Sequence, residues 1–403
     1  MDAMKLPDAP WRDREGLDAL GQALGADRGE ARFVGGAVRD TLIGIRVADV
    51  DMATIHRPDA ILAMLADAGI RSVPTGLKHG TITAILGSGP IEVTTLRHDL
   101  ETDGRHATVA FTDDWRADAA RRDFTINALY ADPLSGEVFD YFDGLGDLSQ
   151  RRVRFIGDPL QRIAEDHLRI LRFFRFLARF GDSPDESGLS ACIARANDLM
   201  ALSRERIADE MLKLLVARSA VAVVALMIEH QVLKPVLPEI DTSGVARLDL
   251  CVNREVEAGL APDPIRRLAA LLPRDPKTAE NVGARLKLSN AQRRRLGHAA
   301  VDAAGSAEEL TYRLGRESAL DRLILTDMSD SEAAIRRIMD WPVPGFPLTG
   351  GALVARGIGK GPQVAQLLRE IEDQWIAEGF PDKGRVEALA DAKVDQALRS
   401  SRN

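Results

Sequence analysis

The chain has 403 residues, a formal net charge of −8, 45% hydrophobic residues and 28% charged ones. That profile is a globular chain with material for two to four domains; it holds no apolar run of about 18 residues to span a bilayer, and its acidity excludes a protein that coats nucleic acid along its whole surface. The opening MDAMKLPDAPWRDREG is polar and partly acidic, unlike a secretory signal, and the two cysteines, Cys192 and Cys251, lie far apart outside any CxxC pair. The cysteine pattern excludes a cysteine zinc cluster and points to a reducing, cytoplasmic setting.

The first 150 residues read as mixed α/β, with β-rich runs at ARFVGG, ADVDMATI, TITAIL and IEVTTL and helical stretches such as PDAILAMLADAG between them. Gly35-Gly36 closes the first run and precedes the helix-like VRDTLIG. Glycine lets a backbone approach a ligand closely, and a helix start presents free N–H groups to phosphate. Arg39 adds a cation within the first turn; for the two glycines alone, a plain tight turn is the simpler reading. Asp49 and Asp51 are two apart in an expected strand and so share a face, with Ala48, Val50 and Met52 turned to the core. Adjacent carboxylates repel unless a cation lies between them, and Mg²⁺ takes one or two carboxylates together with substrate phosphates. The competing reading is a pair of solvated turn aspartates; Gly35, Gly36 and Arg39 close by favour a metal–triphosphate site. Glu92, with Thr94 on the same face of IEVTTLR, is a candidate third carboxylate, balanced against an edge-strand glutamate in solvent.

From about residue 158 the pattern is helical, interrupted at FGDSPDESG, LPEIDTSG, APDP, WPVPGFPLTGG and GIGKGP, with no internal repeat. Between Arg151 and Arg179 eight arginines face three acids, a local excess of five positive charges in an acidic molecule. Such a strip suits a polyphosphate or one arm of an RNA. Asp166, Arg169, Arg172 and Arg175 are spaced by three on an expected helix, where the row winds about half a turn, so that only the near members act together. By spacing alone they are a solvated basic face with an i,i+3 ion pair. His98-Asp99 is an HD dipeptide of the kind metal phosphohydrolases use, but beyond EDHLRILRFFRF (165–176) only His230 and His298 remain, singly placed, which argues against an appended phosphohydrolase domain. The basic RLKLSNAQRRRLGH (285–298) reads as a solvated helix face or an RNA-backbone contact, and GIGKGP (357–362) as a turn before a helix or a phosphate seat.

Taken together, GGAVRD followed by DVD resembles the signature of the class II nucleotidyltransferases, the family of tRNA CCA-adding enzymes and bacterial poly(A) polymerases within the DNA polymerase beta superfamily. RRDFTINALY (121–130), DYFDGLGDL (140–148), EDHLRILRFFRF (165–176) and SRERIADE (203–210) resemble its further motifs in order, and GRHATVAFTDDWRADA fits the connecting segment. The likeness spans roughly residues 32 to 215 and is looser beyond.

The resemblance implies an α+β fold: a small mixed-sheet head over 1–152, a helical neck that recognises the base over 153–235, and an all-α body and tail over 236–403 that binds tRNA. It implies that Asp49 and Asp51 hold two Mg²⁺ ions, with Glu92 as a possible third carboxylate. Gly35, Gly36 and Arg39 would meet the triphosphate, Arg122 the nucleotide, and Asp123 would order the site. Asp166, Arg169, Arg172 and Arg175 become candidates for reading the base: a carboxylate accepts from the exocyclic amine of cytosine or adenine, and a guanidinium donates to the ring nitrogen beside it. Uracil and guanine present a carbonyl there, which opposes two acceptors at a cost of about 1–3 kcal/mol when buried. The expected partners are the tRNA 3′ end, CTP and ATP, with neither membrane nor DNA. Poly(A) polymerase is the nearest rival; net acidity and the lack of a long basic C-terminal extension favour CCA addition. A non-catalytic RNA-binding module is the rival from another class, and the intact Asp49, Asp51 and Arg122 speak against it.

Overall fold

The computed structural model describes residues 4–102, 107–326 and 331–400. In chain order the strands of the first part are β1 (Ala31–Val34), β2 (Asp51–Thr54), β3 (Arg71–Gly76), β4 (Thr81–Leu86), β5 (Gly89–Thr95), β6 (Arg97–Thr102), β7 (Ala107–Phe111), β8 (Leu129–Ala131) and β9 (Val138–Asp140). The helices that matter for the site are α1 (Leu17–Ala23), α2 (Gly36–Leu42), α3 (Pro58–Asp67), α4 (Trp115–Ala120), α5 (Gly144–Ser149), α6 (Pro159–Glu165), α7 (Arg169–Phe180), α8 (Glu186–Ala194) and α9 (Arg204–Leu215).

Seven strands form one mixed sheet in the order β3-β4-β5-β2-β1-β8-β9, while β6 and β7 pair as a separate hairpin. The β2–β5 pair is parallel and the other pairs of the large sheet are antiparallel. Register sorts the side chains by face, because paired residues point the same way. Phe33 pairs with Met52 and Met52 with Val93, all fully buried against Leu17, Leu20, Val38, Ile61 and Leu65 from α1, α2 and α3. The opposite face carries Asp51 beside Glu92, and Val34 beside Tyr130. There α4 covers the sheet through Ala119, and Trp115 packs edge-on to Tyr130 at 5.4 Å. One face is thus a plain core, and the other holds carboxylates among partly buried aromatics.

Beyond Val153 the regular elements among the described residues are helices apart from a two-residue strand, Ser183–Pro184, which pairs with Arg152–Val153. The helix α7 buries Ile170, Phe173, Phe174 and Leu177, the i, i+3, i+4, i+7 set, and turns its arginines the other way. Its aromatic stripe fastens it to the first part: Phe155 stacks on Phe173 at 5.6 Å, and Phe124 meets Phe155 at 4.9 Å and Phe176 at 5.1 Å. Buried aromatic pairs of this kind contribute about 0.5–1.5 kcal/mol each beyond their area. The C-terminal helices Pro362–Ala377 and Lys383–Ser400 close a second core around Trp375, Ile371 and Val386, separate from the main one.

Two expectations need correction. The strand β2 begins at Asp51, so Asp49 lies in the irregular segment before it and is exposed; Ala48 is exposed as well, not turned to the core. Asp166 is not on one helix with the arginines: α6 ends at Glu165, Asp166 is extended at φ −151°, ψ 107°, and α7 starts at Arg169. Consequently the i,i+3 pair between Asp166 and Arg169 does not form. GIGKGP lies between Gly350–Ala355 and Pro362–Ala377 as a turn before the latter helix.

Candidate active site

A cleft of about 430 Å³ opens between the carboxylate face of the sheet and the start of α7. The first part of the chain contributes Gly35, Gly36, Arg39, Asp51, Arg121, Arg122, Asp123 and Asn127; Asp166, Arg169, Arg172 and Phe176 line the helical side.

The bend at Gly35 has φ 66° and ψ −117°, a conformation that only glycine adopts without strain. It turns the chain from β1 into α2, with its N–H held by Leu129 O at 3.0 Å. The helix α2 has only seven residues, so the positive charge at this corner comes from arginines rather than from a helix end. Arg39 is 6% exposed and already engaged: Nε donates to Asp40 Oδ1 at 2.8 Å, Nη1 donates to Asn127 Oδ1, and the guanidinium lies 4.1 Å over the Phe180 ring. Burial holds its pKa below the usual arginine value, against the pull of Asp40.

Across the cleft the parallel register sets Asp51 beside Glu92. Strand spacing puts their backbones about 4.8 Å apart with both side chains on one face. Burial first, and then the charge of Glu92, push the Asp51 pKa up to about 6, with Asp49 adding to the rise and Arg122 opposing it. Asp51 and Glu92 share one face, where burial and mutual repulsion oppose ionisation of Asp51. Among the described residues no group of three or more His, Cys, Asp or Glu side chains is placed to hold a metal ion. Asp51 lines the cleft itself, whereas Asp49 and Glu92 stand beside it.

The segment Arg121–Asn127 forms the floor. Arg122 Nη2 donates to Asp118 Oδ2 at 3.1 Å and its Nε to Tyr130 Oη at 3.1 Å, while Tyr130 donates to Asp118 at 2.7 Å. Burial disfavours the Arg122 charge, but Tyr130 and Asp118 outweigh it and its pKa rises. Asp123 accepts from Arg172 Nε at 2.7 Å, Asn127 Nδ2 at 2.9 Å and its neighbour's backbone N–H. Burial alone would raise its pKa; Arg172 and these donors hold it below the usual carboxylate range. Asn127 therefore bridges Asp123 and Arg39.

On the helical side Asp166 accepts twice from Arg206 Nη2, at 3.1 and 3.0 Å, and Arg169 pairs with Glu165 at 2.6 Å. Arg175 does not line this cleft. It faces a neighbouring cavity with Arg179, Phe180 and Lys213, and pairs with Glu210 at 2.9 Å. The arginine strip of 151–179 is largely matched by acids from elsewhere: Arg154 by Asp147, Arg172 by Asp123, Arg179 by Asp40. Asn127, Arg121, Glu165 and Arg206 escaped the reading of the sequence as site residues, although each sits inside a quoted motif. His98 lies in β6, but the Asp99 side chain and residues 103–106 lie outside the described residues.

Residues 31–154 match the family model described as the poly A polymerase head domain, and residues 183–243 one described as a probable RNA and SrmB-binding site of polymerase A. The mouse protein named CCA tRNA nucleotidyltransferase 1, mitochondrial, is 37% identical over 386 residues, covering 91% of this chain and 87% of that one. A CCA-adding enzyme of Levilactobacillus brevis is 41% identical over 192 residues, 47% of each chain. Among solved structures, the Bacillus stearothermophilus CCA-adding enzyme in complex with CTP superposes with a TM-score of 0.74 at 25% identity, covering 98% of this chain and all of that one. With its mixed-sheet head, helical continuation and full-length relatives, the chain belongs to the class II nucleotidyltransferase family.

Proposed function

We propose that this chain is a CCA-adding tRNA nucleotidyltransferase, which extends the tRNA 3′ end from CTP and ATP and releases pyrophosphate. The observation that carries the reading is one cleft in which the Asp51 carboxylate face meets Asp166 and Arg169, in a chain that matches a CCA tRNA nucleotidyltransferase over 91% of its length.

The residues present fit a divalent metal: Asp49 and Asp51 would hold it, with Glu92 beside them. When bound there, Mg²⁺ lowers the pKa of the attacking 3′-hydroxyl and neutralises charge on the departing pyrophosphate. The Gly35–Gly36 bend lets the triphosphate approach the backbone, and Arg39 and Arg122 supply positive charge beside it. Phosphoryl transfer rests on positioning and electrostatics, so no covalent nucleophile is needed. Asp166 and Arg169 read the edge of the base, and Arg172, tied to Asp123, lies alongside. Arg175, turned to the next cavity, acts on the nucleotide only through its neighbours. We place the head at 1–152, the base-reading neck at 153–235, and the tRNA-binding body and tail at 236–403. Both cysteines are free and buried, which supports a reducing compartment; cytoplasm and mitochondrial matrix both provide one. Among the described residues no helix is long and apolar enough to cross a membrane.

The test is to incubate tRNA lacking its 3′ end with labelled CTP, ATP, or both. Three added residues followed by arrest is the expected result; a long adenine ladder from ATP alone would mean a poly(A) polymerase.

A further inference from the structure

The side chains of Asp166 and Arg169 do not pair, although the Arg169 N–H donates to the Asp166 carbonyl at 3.0 Å; each side chain is held by something else. Arg169 Nη1 donates to the Arg162 carbonyl at 2.8 Å and to Glu165 Oε2 at 2.6 Å, and its Nη2 donates to the Arg121 carbonyl at 3.3 Å. The same Glu165 oxygen pairs with Arg162 Nη1. Arg162 Nη2 donates to the carbonyls of Arg121 and Arg122, the latter at 2.7 Å. Arg162 is only 7% exposed. It lies on α6 and does not line the cleft, yet it touches the Arg169 environment on one side and the backbone that carries Arg122 on the other.

We propose that Arg162 is a positioning residue for base selection: a buried strut between neck and head that sets how far Arg169 can reach into the cleft. This rests on the reading that Asp166 and Arg169 recognise the base. Two guanidiniums share one carboxylate here, so the place of Arg169 depends on where Arg162 holds Glu165. Arg162 also occupies the carbonyls of Arg121 and Arg122. Without its guanidinium, those carbonyls and Glu165 compete for Arg169 and draw it from the cleft. Rejection of uracil and guanine requires a donor and an acceptor at fixed separation, because a mobile guanidinium follows a displaced carbonyl and accepts the wrong base. A strut that fixes that separation therefore controls discrimination more than turnover.

The experiment measures kcat/KM for CTP against UTP, and for ATP against GTP, on tRNA lacking its 3′ terminal residues. The proteins are wild type, Arg162→Met, Arg162→Lys, Glu165→Gln and Arg169→Ala. Arg162→Met should lower CTP/UTP discrimination ten-fold or more, mainly through the KM for nucleotide, with the KM for tRNA unchanged. Arg162→Lys should restore part of it, and Glu165→Gln should move it the same way as Arg162→Met. A purely structural role predicts equal losses for all four nucleotides. The proposal is overturned if Arg162→Met and Glu165→Gln keep wild-type discrimination while Arg169→Ala loses it. Should Arg162→Met fail to fold, Glu165→Gln decides. If Arg169→Ala itself keeps discrimination, the base-reading assignment falls, and the strut falls with it.

Discussion

Replacing Asp51 by asparagine should stabilise the metal-free protein while it destroys activity. Burial and the charge of Glu92 lift the Asp51 pKa from 3.8 to about 6. The folded state therefore binds more protons than the unfolded state between those values, and stability falls as pH rises through that window. Below about pH 4 the penalty is absent; above about pH 6 it is complete. A rise of about two pKa units corresponds to roughly 3 kcal/mol at 1.4 kcal/mol per unit, and partial solvation of the side chain reduces this to about 1–2 kcal/mol. The amide keeps the shape and removes the repulsion. Thermal unfolding in EDTA should show Asp51→Asn melting roughly 2–6 °C above wild type at pH 7.5, for a head of about 150 residues, with the gap closing near pH 4.5. Function at this position is thus bought with stability. An Asp51→Asn protein no more stable than wild type at pH 7.5, or a gap independent of pH, would refute the crowded-carboxylate reasoning.

Other outcomes follow from the same geometry. Asp49→Ala should abolish nucleotide incorporation yet leave tRNA affinity in a gel-shift assay nearly unchanged, because Asp49 is exposed beside the cleft and supports no core. Mg²⁺ and CTP together should raise the melting temperature, by about 2.7 kcal/mol of stabilisation at a hundred-fold excess over the dissociation constant, and EDTA should reverse it; a non-catalytic RNA-binding module would show no such shift. In the helical body, Asp321 is fully buried and accepts from Arg266 Nε at 2.9 Å and from Arg295 Nη2 at 2.8 Å. Asp321→Ala takes one carboxylate from each cation, leaving Arg266 with Glu255 and Arg295 with Asp263, and should cost about 1.5–3 kcal/mol, read as a lowered thermal midpoint.

Much of the candidate cleft was legible because its parts are local. The diglycine bend, the Asp-x-Asp and the motif at 121–130 each lie within a few residues, and β1, β2, β4 and β5 coincide with the β-rich runs. The strand β3 was not visible, since RSVPTG carries a proline and is mostly exposed, so it shows no alternation. The three-residue strands β8 and β9 are too short for a period of two to register. The break at Asp166 was hidden for a different reason. No glycine or proline separates Glu165 from Arg169, and the extended turn is held by Arg206, forty positions later, and by Leu168 N–H donating to Asp166 Oδ1 at 3.1 Å. An aspartate just ahead of an apolar helix is itself a start signal, and that cue was available. The arginine strip misled by its charge count, because its partners Asp40, Asp123 and Asp147 come from distant segments and only folding brings them alongside.

The most direct measurement is a crystal structure with Mn²⁺ in place of Mg²⁺ and a non-hydrolysable CTP analogue. The account predicts anomalous peaks within about 2.2 Å of the Asp49 and Asp51 carboxylate oxygens, the triphosphate against Gly35–Gly36, and the cytosine edge facing Asp166 and Arg169. Metal bound away from those carboxylates, or a base lying clear of Asp166 and Arg169, would contradict it.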